Sequence, residues 1–471
     1  MPTDLVAPNI VYILADDMGY GDVGCLNPEC KIPTPHMDRL ASQGMLFGDA
    51  HSNSAVCTPT RYGVLTGRYC WRSRLQRGVL GGYSPHLIEA GRLTVPQMLR
   101  GAGYRTGCIG KWHLGMDWRL TVEGELGDGI DPAVDPSLVD YAAAVAHGPT
   151  ARGFDEFFGI SASLDMPPYT YIENDRVTEP PTGLSEGGQF PENWRPGPAA
   201  PGFRHEEVLP RLTARACEYI ERSAGQDGPF FLYFPLPSPH APVLPIPRFR
   251  GVSRAGSYGD FVAQTDDSVG RVMAALDACG LADNTLLVVT SDNGSTFTNE
   301  ALAQYGHLSN YHFRGCKSDA WDGGHRIPFM ARWPGRIAAG GACGQLICLT
   351  DLMATCAEIL GLQLPVDAGE DSISMLPLLL GTAGAVREDV VHHSVHGRFA
   401  IRKGRWKLVQ CKGSGGWSLA EEEVGPDAPP GQLYDMESDP AEQCNLYHRH
   451  PQIVKELTDI LHGYRVDGRS R

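Results

Sequence analysis

Short apolar runs that end in polar residues recur along the chain and predict the centre of its fold. Three of them lie at 10–14 (IVYIL), 230–234 (FFLYF) and 285–290 (TLLVVT). Runs of this length that are apolar at every position are typical of strands buried on both faces of a parallel sheet. We therefore expect three central strands. Their carboxyl ends carry polar groups, and that is the edge where open α/β sheets bind ligands.

Helical patterns separate these runs. Helices are predicted at 36–44, 94–102, 209–222 and 258–279, the last with an amphipathic pattern, and a shorter helix is predicted at 60–65 after Pro59. A further strand is predicted at 105–109, and Thr94 is expected to be a helix N-cap because its hydroxyl can accept a backbone N–H. Strands alternating with helices indicate an α/β fold with a mostly parallel sheet.

The pattern changes near residue 377. A hairpin is predicted at 398–409 with its turn at Lys403-Gly404, a short strand at 432–434 and an amphipathic helix at 451–464. We therefore expect a catalytic α/β domain over residues 1–376 and a smaller α+β subdomain over 377–471. The segment 165–201 is rich in Pro, Gly and Glu and is predicted to be a long surface excursion.

Composition and charge narrow the possible partners and locations. The formal net charge of −15 over 471 residues argues against nucleic acid as a general partner. No apolar run is long enough to predict a membrane span. The first eight residues carry no export signal, so a cytoplasmic location is expected, or a periplasmic or secreted one if a leader was removed. The 13 cysteines show no CxxC pairs and are expected to be mostly buried free thiols.

Oxygen-bearing side chains follow two of the predicted strands. Asp16 and Asp17 come after the run at 10–14, and Asp292 and Asn293 come after the run at 285–290. Three carboxylates and an amide, without clustered Cys or His, favour a hard cation. The sequence therefore predicts a calcium site, with magnesium as the second choice.

The segment 57–61 (CTPTR), followed by 65–68 (LTGR), carries the most specific motif. Cys57 lies at a predicted helix N-terminus beside Arg61, which is an electropositive position for a thiol. This motif resembles the C-x-P-x-R core and L-T-G-R-like extension of the type I sulfatases. The resemblance implies that a formylglycine-generating or anaerobic sulfatase-maturating enzyme converts Cys57 to formylglycine, whose hydrate attacks sulfur and also contacts the metal.

Three further segments resemble the same family: 103–113 (GYRTGCIGKWH), 237–240 (PSPH) and 314–328, which contains RGCK and WDGGHRIP. Segment 432–446 resembles the family's C-terminal L-Y-D and D-P motifs. The resemblance implies an alkaline-phosphatase-like fold, with a large mixed, mostly parallel sheet flanked by helices and a smaller C-terminal antiparallel sheet with a helix.

The resemblance also implies roles for individual side chains. Lys111 and Lys317 would bind the sulfate, as would Arg61 through its positive charge. His113 would accept a proton from the formylglycine hydrate, and His240 would protonate the leaving alcohol. Asp322, which stands where glutamate is common in the family, and Arg326 are expected to be structural.

These observations favour a sulfuric ester hydrolase that acts on a sulfated carbohydrate or an aryl sulfate. Two alternatives stay open: a phosphonate monoester or phosphodiester hydrolase of the same superfamily, and a non-catalytic homologue that binds sulfate esters with Cys57 unmodified. The substrate, and the sulfate position, are not predicted. Six side chains near the motifs or in the excursion are candidates for sugar contact: Arg72, Tyr169, Tyr171, His307, His312 and Trp321.

Overall fold

A ten-stranded sheet organises the protein, whose structure is a computed structural model that describes residues 7–124, 126–130, 135–189 and 192–471. Its five central strands run parallel to one another, and antiparallel pairs occur toward both edges. The strand order from one edge to the other is Gly341–Cys343, Met45–Phe47, Phe329–Arg332, Thr285–Ser291, Asn9–Asp16, Phe230–Pro239, Arg105–Lys111, Glu156–Ile160, Ile172–Glu173 and Arg176–Val177.

The strand Asn9–Asp16 lies in the middle and is buried along its whole length. Ile10, Tyr12 and Leu14 contribute to one hydrophobic core, whereas Val11 and Ile13 contribute to the other. Side chains of a strand alternate between the two faces, and here each face is covered by helices. The prediction of central strands buried on both faces is confirmed.

Helices cover both faces of the sheet and contribute to a separate core on each. On one face lie Pro35–Gln43, His205–Ala224 and Gly256–Ala278. On the other lie Cys57–Thr66, Val95–Gly101 and Leu352–Ile359. The predicted helices are confirmed with small changes of boundary, and Thr94 is the N-cap whose hydroxyl accepts the N–H of Gln97.

Some elements differ from the prediction. The helix expected at 60–65 begins three residues earlier, at Cys57, so Pro59 lies inside its first turn. The excursion 165–201 contains short strands, and Tyr169 and Tyr171 within it are buried; residues 190 and 191 lie outside the described residues. Residues 165–172 of the excursion are therefore mostly buried rather than surface-exposed.

A four-stranded antiparallel sheet follows near the C-terminus, with strands Asp389–His393, Phe399–Lys403, Trp406–Val409 and Gln432–Asp435. The helix Pro451–Asp467 packs on it through Leu457 and Leu461. The hairpin is confirmed, with Gly404 at its turn in a left-handed conformation. The domain boundary after residue 376 stays a prediction; the short helix Leu376–Leu379 across it belongs to the large core.

All 13 cysteines are free thiols, six of them buried, five half-buried and two exposed. The expectation of free thiols is confirmed, whereas the expectation that most are buried is not met. Within the described ranges, no helix combines the length and apolar character that crossing a membrane requires.

Candidate active site

Three parallel strands of the sheet end at the same edge and deliver most of the site. Asp16 is the last residue of its strand and Lys111 the last of another. Asp292 and Asn293 directly follow the strand Thr285–Ser291. Asp17 has a positive φ of 66°, a backbone conformation that costs energy and persists only where surrounding contacts enforce it. Its N–H donates to Asp292 Oδ1 at 3.2 Å.

Cys57 enters the site from a helix. It is the first residue of Cys57–Thr66, it is 2% exposed, and its Sγ lies 3.4 Å from Asp16 Oδ1. One turn later, Arg61 donates from Nε and Nη2 to Asp292 Oδ2 at 3.1 and 2.7 Å. The helix thus brings both a nucleophile position and a buried guanidinium to the carboxylates, and the helix N-terminus adds positive potential there.

Two lysines each neutralise one of the adjacent acids. Lys111 Nζ lies 2.7 Å from Asp16 Oδ2, and Lys317 Nζ lies 2.7 Å from Asp17 Oδ1. Both lysines are nearly or fully buried. Because buried charges are costly without partners, the compensated arrangement is what allows so many ionised groups to share one site.

Two histidines complete the site. His113 Nε2 is 2.8 Å from the carbonyl oxygen of Leu80, and its buried Nδ1 has no partner. His240 Nδ1 is 2.6 Å from the carbonyl oxygen of Ala241, and its Nε2 is 3.6 Å from Asp17 Oδ2. Ser163 Oγ lies between Lys111 Nζ and His240 Nδ1, at 3.2 and 3.3 Å. Each histidine therefore keeps one ring nitrogen available for chemistry.

Burial and neighbouring charges together lower the pKa values of some of these groups and raise those of others. Burial opposes ionisation of Asp16, but Lys111 and other nearby cations hold its pKa well below the usual range. Burial raises the pKa of Asp292 to about 6 despite Arg61, and it raises the pKa of the Cys57 thiol. Burial, then Lys111 and Arg61, lower the pKa of His113, which favours the neutral imidazole that can accept a proton.

The same residues fit a hard divalent cation. One ligand atom each from Asp16, Asp17, Cys57 and Asp292 lies within 4.8 Å of every other. Asn293 Oδ1 is buried without a hydrogen-bond partner, while its Nδ2 is held by Asp17 Oδ1 at 2.7 Å. An orphaned buried acceptor is costly, and an oxygen-rich cluster is the donor set that calcium or magnesium binds. The predicted ligand residues therefore converge.

Every residue expected in the site from the sequence lies in this cluster. Asp322 and Arg326 lie in a separate buried ion-pair network, with Asp322 held by Lys407 at 2.7 Å. Ser163 and the Leu80 carbonyl were not found from the sequence, because neither belongs to a motif and only the packing of distant segments brings them here.

The six candidate sugar-contacting side chains do not form a group at the site. Arg72 pairs with Asp371 at 2.8 Å, and His307 pairs with Asp22 at 2.8 Å. Trp321 donates to Gln432 at 2.9 Å. Tyr169 and Tyr171 are buried in the core, and His312 alone is exposed. Five of the six therefore take part in internal ion pairs, hydrogen bonds or packing.

Two family models match the chain: the sulfatase model over residues 8–362 and the C-terminal model of N-sulphoglucosamine sulphohydrolase over residues 317–467. An N-acetylgalactosamine-6-O-sulfatase from Bacteroides thetaiotaomicron is 34% identical, over 98% of this chain and 93% of that protein. Human arylsulfatase A is 33% identical, over 93% of this chain and 83% of that protein.

Solved structures agree with the sequence relatives. One from work on glycosaminoglycan metabolism by B. thetaiotaomicron has a TM-score of 0.83 and 33% identity, covering 98% of this chain and 99% of that chain. The phosphonate monoester hydrolase of Agrobacterium radiobacter has a TM-score of 0.62 and 20% identity, covering 98% of this chain and 96% of that chain, and supports only the alkaline-phosphatase-like fold. The chain belongs to the sulfatase family and is a sulfuric ester hydrolase.

Proposed function

We propose that the protein removes the 6-O-sulfate of N-acetylgalactosamine units, using formylglycine at position 57 and a bound calcium ion. The single observation that carries the mechanism is the placement of Cys57 Sγ 3.4 Å from Asp16 Oδ1, inside a cluster of cations and metal-type ligands. The substrate rests on the relatives named N-acetylgalactosamine-6-sulfatase in B. thetaiotaomicron and mouse, of which the second is 32% identical over 90% of this chain and 76% of that protein.

The cation and the formylglycine would each supply a different part of the chemistry. Asp16, Asp17, Asp292 and Asn293 would hold calcium, whose charge polarises the sulfate oxygens. The hydrated aldehyde at position 57 would supply one hydroxyl to attack sulfur and a second whose deprotonation releases sulfate, which an ordinary serine lacks.

The protein's own side chains would bind and orient the sulfate. Lys111 and Lys317 present ammonium groups beside position 57, and Arg61 holds Asp292 in place through two hydrogen bonds. Fixed cations in a buried site stabilise the charge that develops on sulfate and leaving oxygens in the transition state. This local positive potential is compatible with the net charge of −15 on the whole chain.

The histidines would move protons. Burial lowers the pKa of His113, which favours a neutral ring, and its Nδ1 is unpartnered, so it can accept a proton from the hydroxyl that expels sulfate. His240 is partly exposed, with Nε2 facing Asp17, and can protonate the departing alcohol. The sugar alcohol is a poor leaving group, so this protonation would contribute strongly to the rate.

Two measurements test the proposal together. Peptide mass spectrometry of protein made with a maturating enzyme should find an aldehyde, not a thiol, at position 57. Cys57→Ala should abolish sulfate release, whereas Cys356→Ala, another buried cysteine, should keep it. An unmodified thiol with full activity, or an active Cys57→Ala variant, would overturn the mechanism.

Substrate choice is tested by comparing kcat/KM for N-acetylgalactosamine 6-sulfate, its 4-sulfate isomer, 4-nitrophenyl sulfate and a phenyl phosphonate monoester. The 6-sulfate should be preferred over the 4-sulfate by at least about 100-fold, because the wrong isomer leaves polar groups of the site unpaired. A preference for the phosphonate would favour the alternative hydrolase activity.

A further inference from the structure

Trp417 is conspicuous because it is a large apolar ring in solvent. All eight tryptophans of the sequence lie within the described ranges; Trp417 is 57% exposed, whereas the other seven are buried or half-buried. Its chain neighbours are Gly413, Ser414, Gly415, Gly416 and Ser418. A single ring among glycines and serines is not a contiguous apolar patch of the kind that marks protein interfaces.

The loop that carries this ring is held in place by a buried carboxylate. The Trp417 N–H donates to Asp319 Oδ1 at 2.9 Å and to Ser318 Oγ at 3.0 Å. The Ser418 N–H also donates to Asp319 Oδ1, at 3.2 Å. A Cβ on Gly416 would lie 2.4 Å from the Ser318 carbonyl oxygen, so only glycine allows this close approach. The exposed ring therefore stands on a fixed backbone.

That backbone is attached to the catalytic segments. Ser318 directly follows Lys317, and its N–H donates at 2.7 Å to the carbonyl oxygen of Ala55, two residues before Cys57. Asp319 Oδ2 also accepts the Cys316 N–H at 2.9 Å. Ser318 thus links the Trp417 backbone to the active site: it accepts the Trp417 N–H, it follows Lys317 in the sequence, and it donates to the segment that leads to Cys57.

We propose that Trp417 is a specificity-determining residue on which the pyranose ring of the substrate stacks while its sulfate occupies the site at Cys57. This inference rests on the proposed function and extends it to the sugar. A rigid, flat indole offers a large contact area at little conformational cost. The C–H groups on one face of a pyranose are the ligand chemistry that fits such a surface.

The test compares three substitutions in the full-length matured enzyme with N-acetylgalactosamine 6-sulfate as the probe. Trp417→Ala should lower kcat/KM about 10-fold, mainly through KM, because one well-packed aromatic contact is lost. Trp417→Phe should retain most of the activity, since a flat ring remains. Trp417→Leu should resemble Trp417→Ala, since it is apolar but not flat.

Two controls separate stacking from other causes. Inhibition by inorganic sulfate reports on the anion site alone, and its inhibition constant should change by less than about 2-fold in Trp417→Ala, because free sulfate has no sugar to stack on the ring. Val466→Ala, another exposed apolar side chain at 69% exposure, should behave like the wild type. Equal thermal midpoints would establish that the variants are folded.

The outcomes distinguish this inference from the proposed function. If the wild type hydrolyses the 6-sulfate and Trp417→Ala does so with the same KM, the stacking role is wrong and the proposed function stands. Equal activities of Trp417→Phe and Trp417→Leu would also overturn it. If the wild type hydrolyses no sulfated sugar, the proposed function fails first, and calorimetric binding of the probe to Cys57→Ala, with and without Trp417→Ala, still tests the stacking role.

Discussion

Replacing Lys407 by methionine should destabilise the protein strongly without touching the active site. Lys407 Nζ lies 2.7 Å from Asp322 Oδ1 and 2.8 Å from Glu442 Oε1, and all three side chains are fully buried. The side-chain carboxylate of Glu442 also accepts the Asp322 N–H. The lysine therefore joins the small C-terminal sheet to the segment that leads from Lys317 toward the large sheet.

The size of the expected loss of stability follows from the burial of this ion-pair network. Removing one partner of a buried ion pair costs about 3–5 kcal/mol of the free energy of unfolding, because the remaining charges lose their compensation. Lys403→Met is the matched control on the same hairpin: its partner Glu456 is at 3.1 Å, but the two side chains are 36% and 55% exposed. Exposed pairs contribute about 0.2–1 kcal/mol, so this control should change little.

The loss of stability caused by Lys407→Met should also depend on pH. Burial raises the pKa of Glu442 to about 7, above its usual value of 4.5, although Lys407 opposes the shift. Ionisation of Glu442 therefore disfavours the folded state, and this penalty grows as the pH rises through about 7. Without Lys407 the penalty is larger, so the loss of stability in Lys407→Met should be greater at pH 8 than at pH 6.

Urea unfolding followed by fluorescence and circular dichroism measures these differences as shifts of midpoint. Adding Glu442→Gln to Lys407→Met should recover about 1–3 kcal/mol, since it removes one of the uncompensated charges and the two sites are in contact. The reasoning would be refuted if Lys407→Met and Lys403→Met shifted the midpoint equally, or if the double variant recovered nothing at pH 8.

Three further predictions concern the site. Chelation should abolish activity and calcium should restore it; full activity in chelator would contradict the metal site. Asn293→Ala should raise the calcium concentration for half-maximal activity by at least about 10-fold, because even the loss of a residue that only supports a metal ligand lowers metal affinity by that much. His240→Ala should lower kcat about 100-fold on a sugar sulfate but much less on 4-nitrophenyl sulfate, whose leaving group needs no proton; equal losses on both would argue against a general acid. Lys317→Ala should lower kcat about 100- to 1000-fold on either substrate, as expected for a cation that acts on the transition state, and steady-state kinetics that change only KM would contradict that role.

The local sequence was sufficient to predict the long helices and strands and most residues of the site. The buried runs at 10–14 and 285–290 predicted strands because their apolar character needs no distant partner to be recognised. The polar residues after them predicted a cation site because parallel strands bring their carboxyl ends to one edge. The nucleophile, the lysines and the histidines were identified through motifs that resemble a family, not through periodicity.

Contacts between distant segments could be identified only from the tertiary structure. Several short strands, such as Phe329–Arg332, carry too little periodicity to be predicted, and their pairing is decided by which segment packs beside them. Ser163 joins Lys111 to His240, and Asp319 fixes the loop of Trp417, although neither residue belongs to a recognisable pattern. The chain alone thus specified which chemical groups are present and where the main strands run. Only folding decided which of those groups become neighbours, because long-range packing, rather than local preference, sets the distances between them.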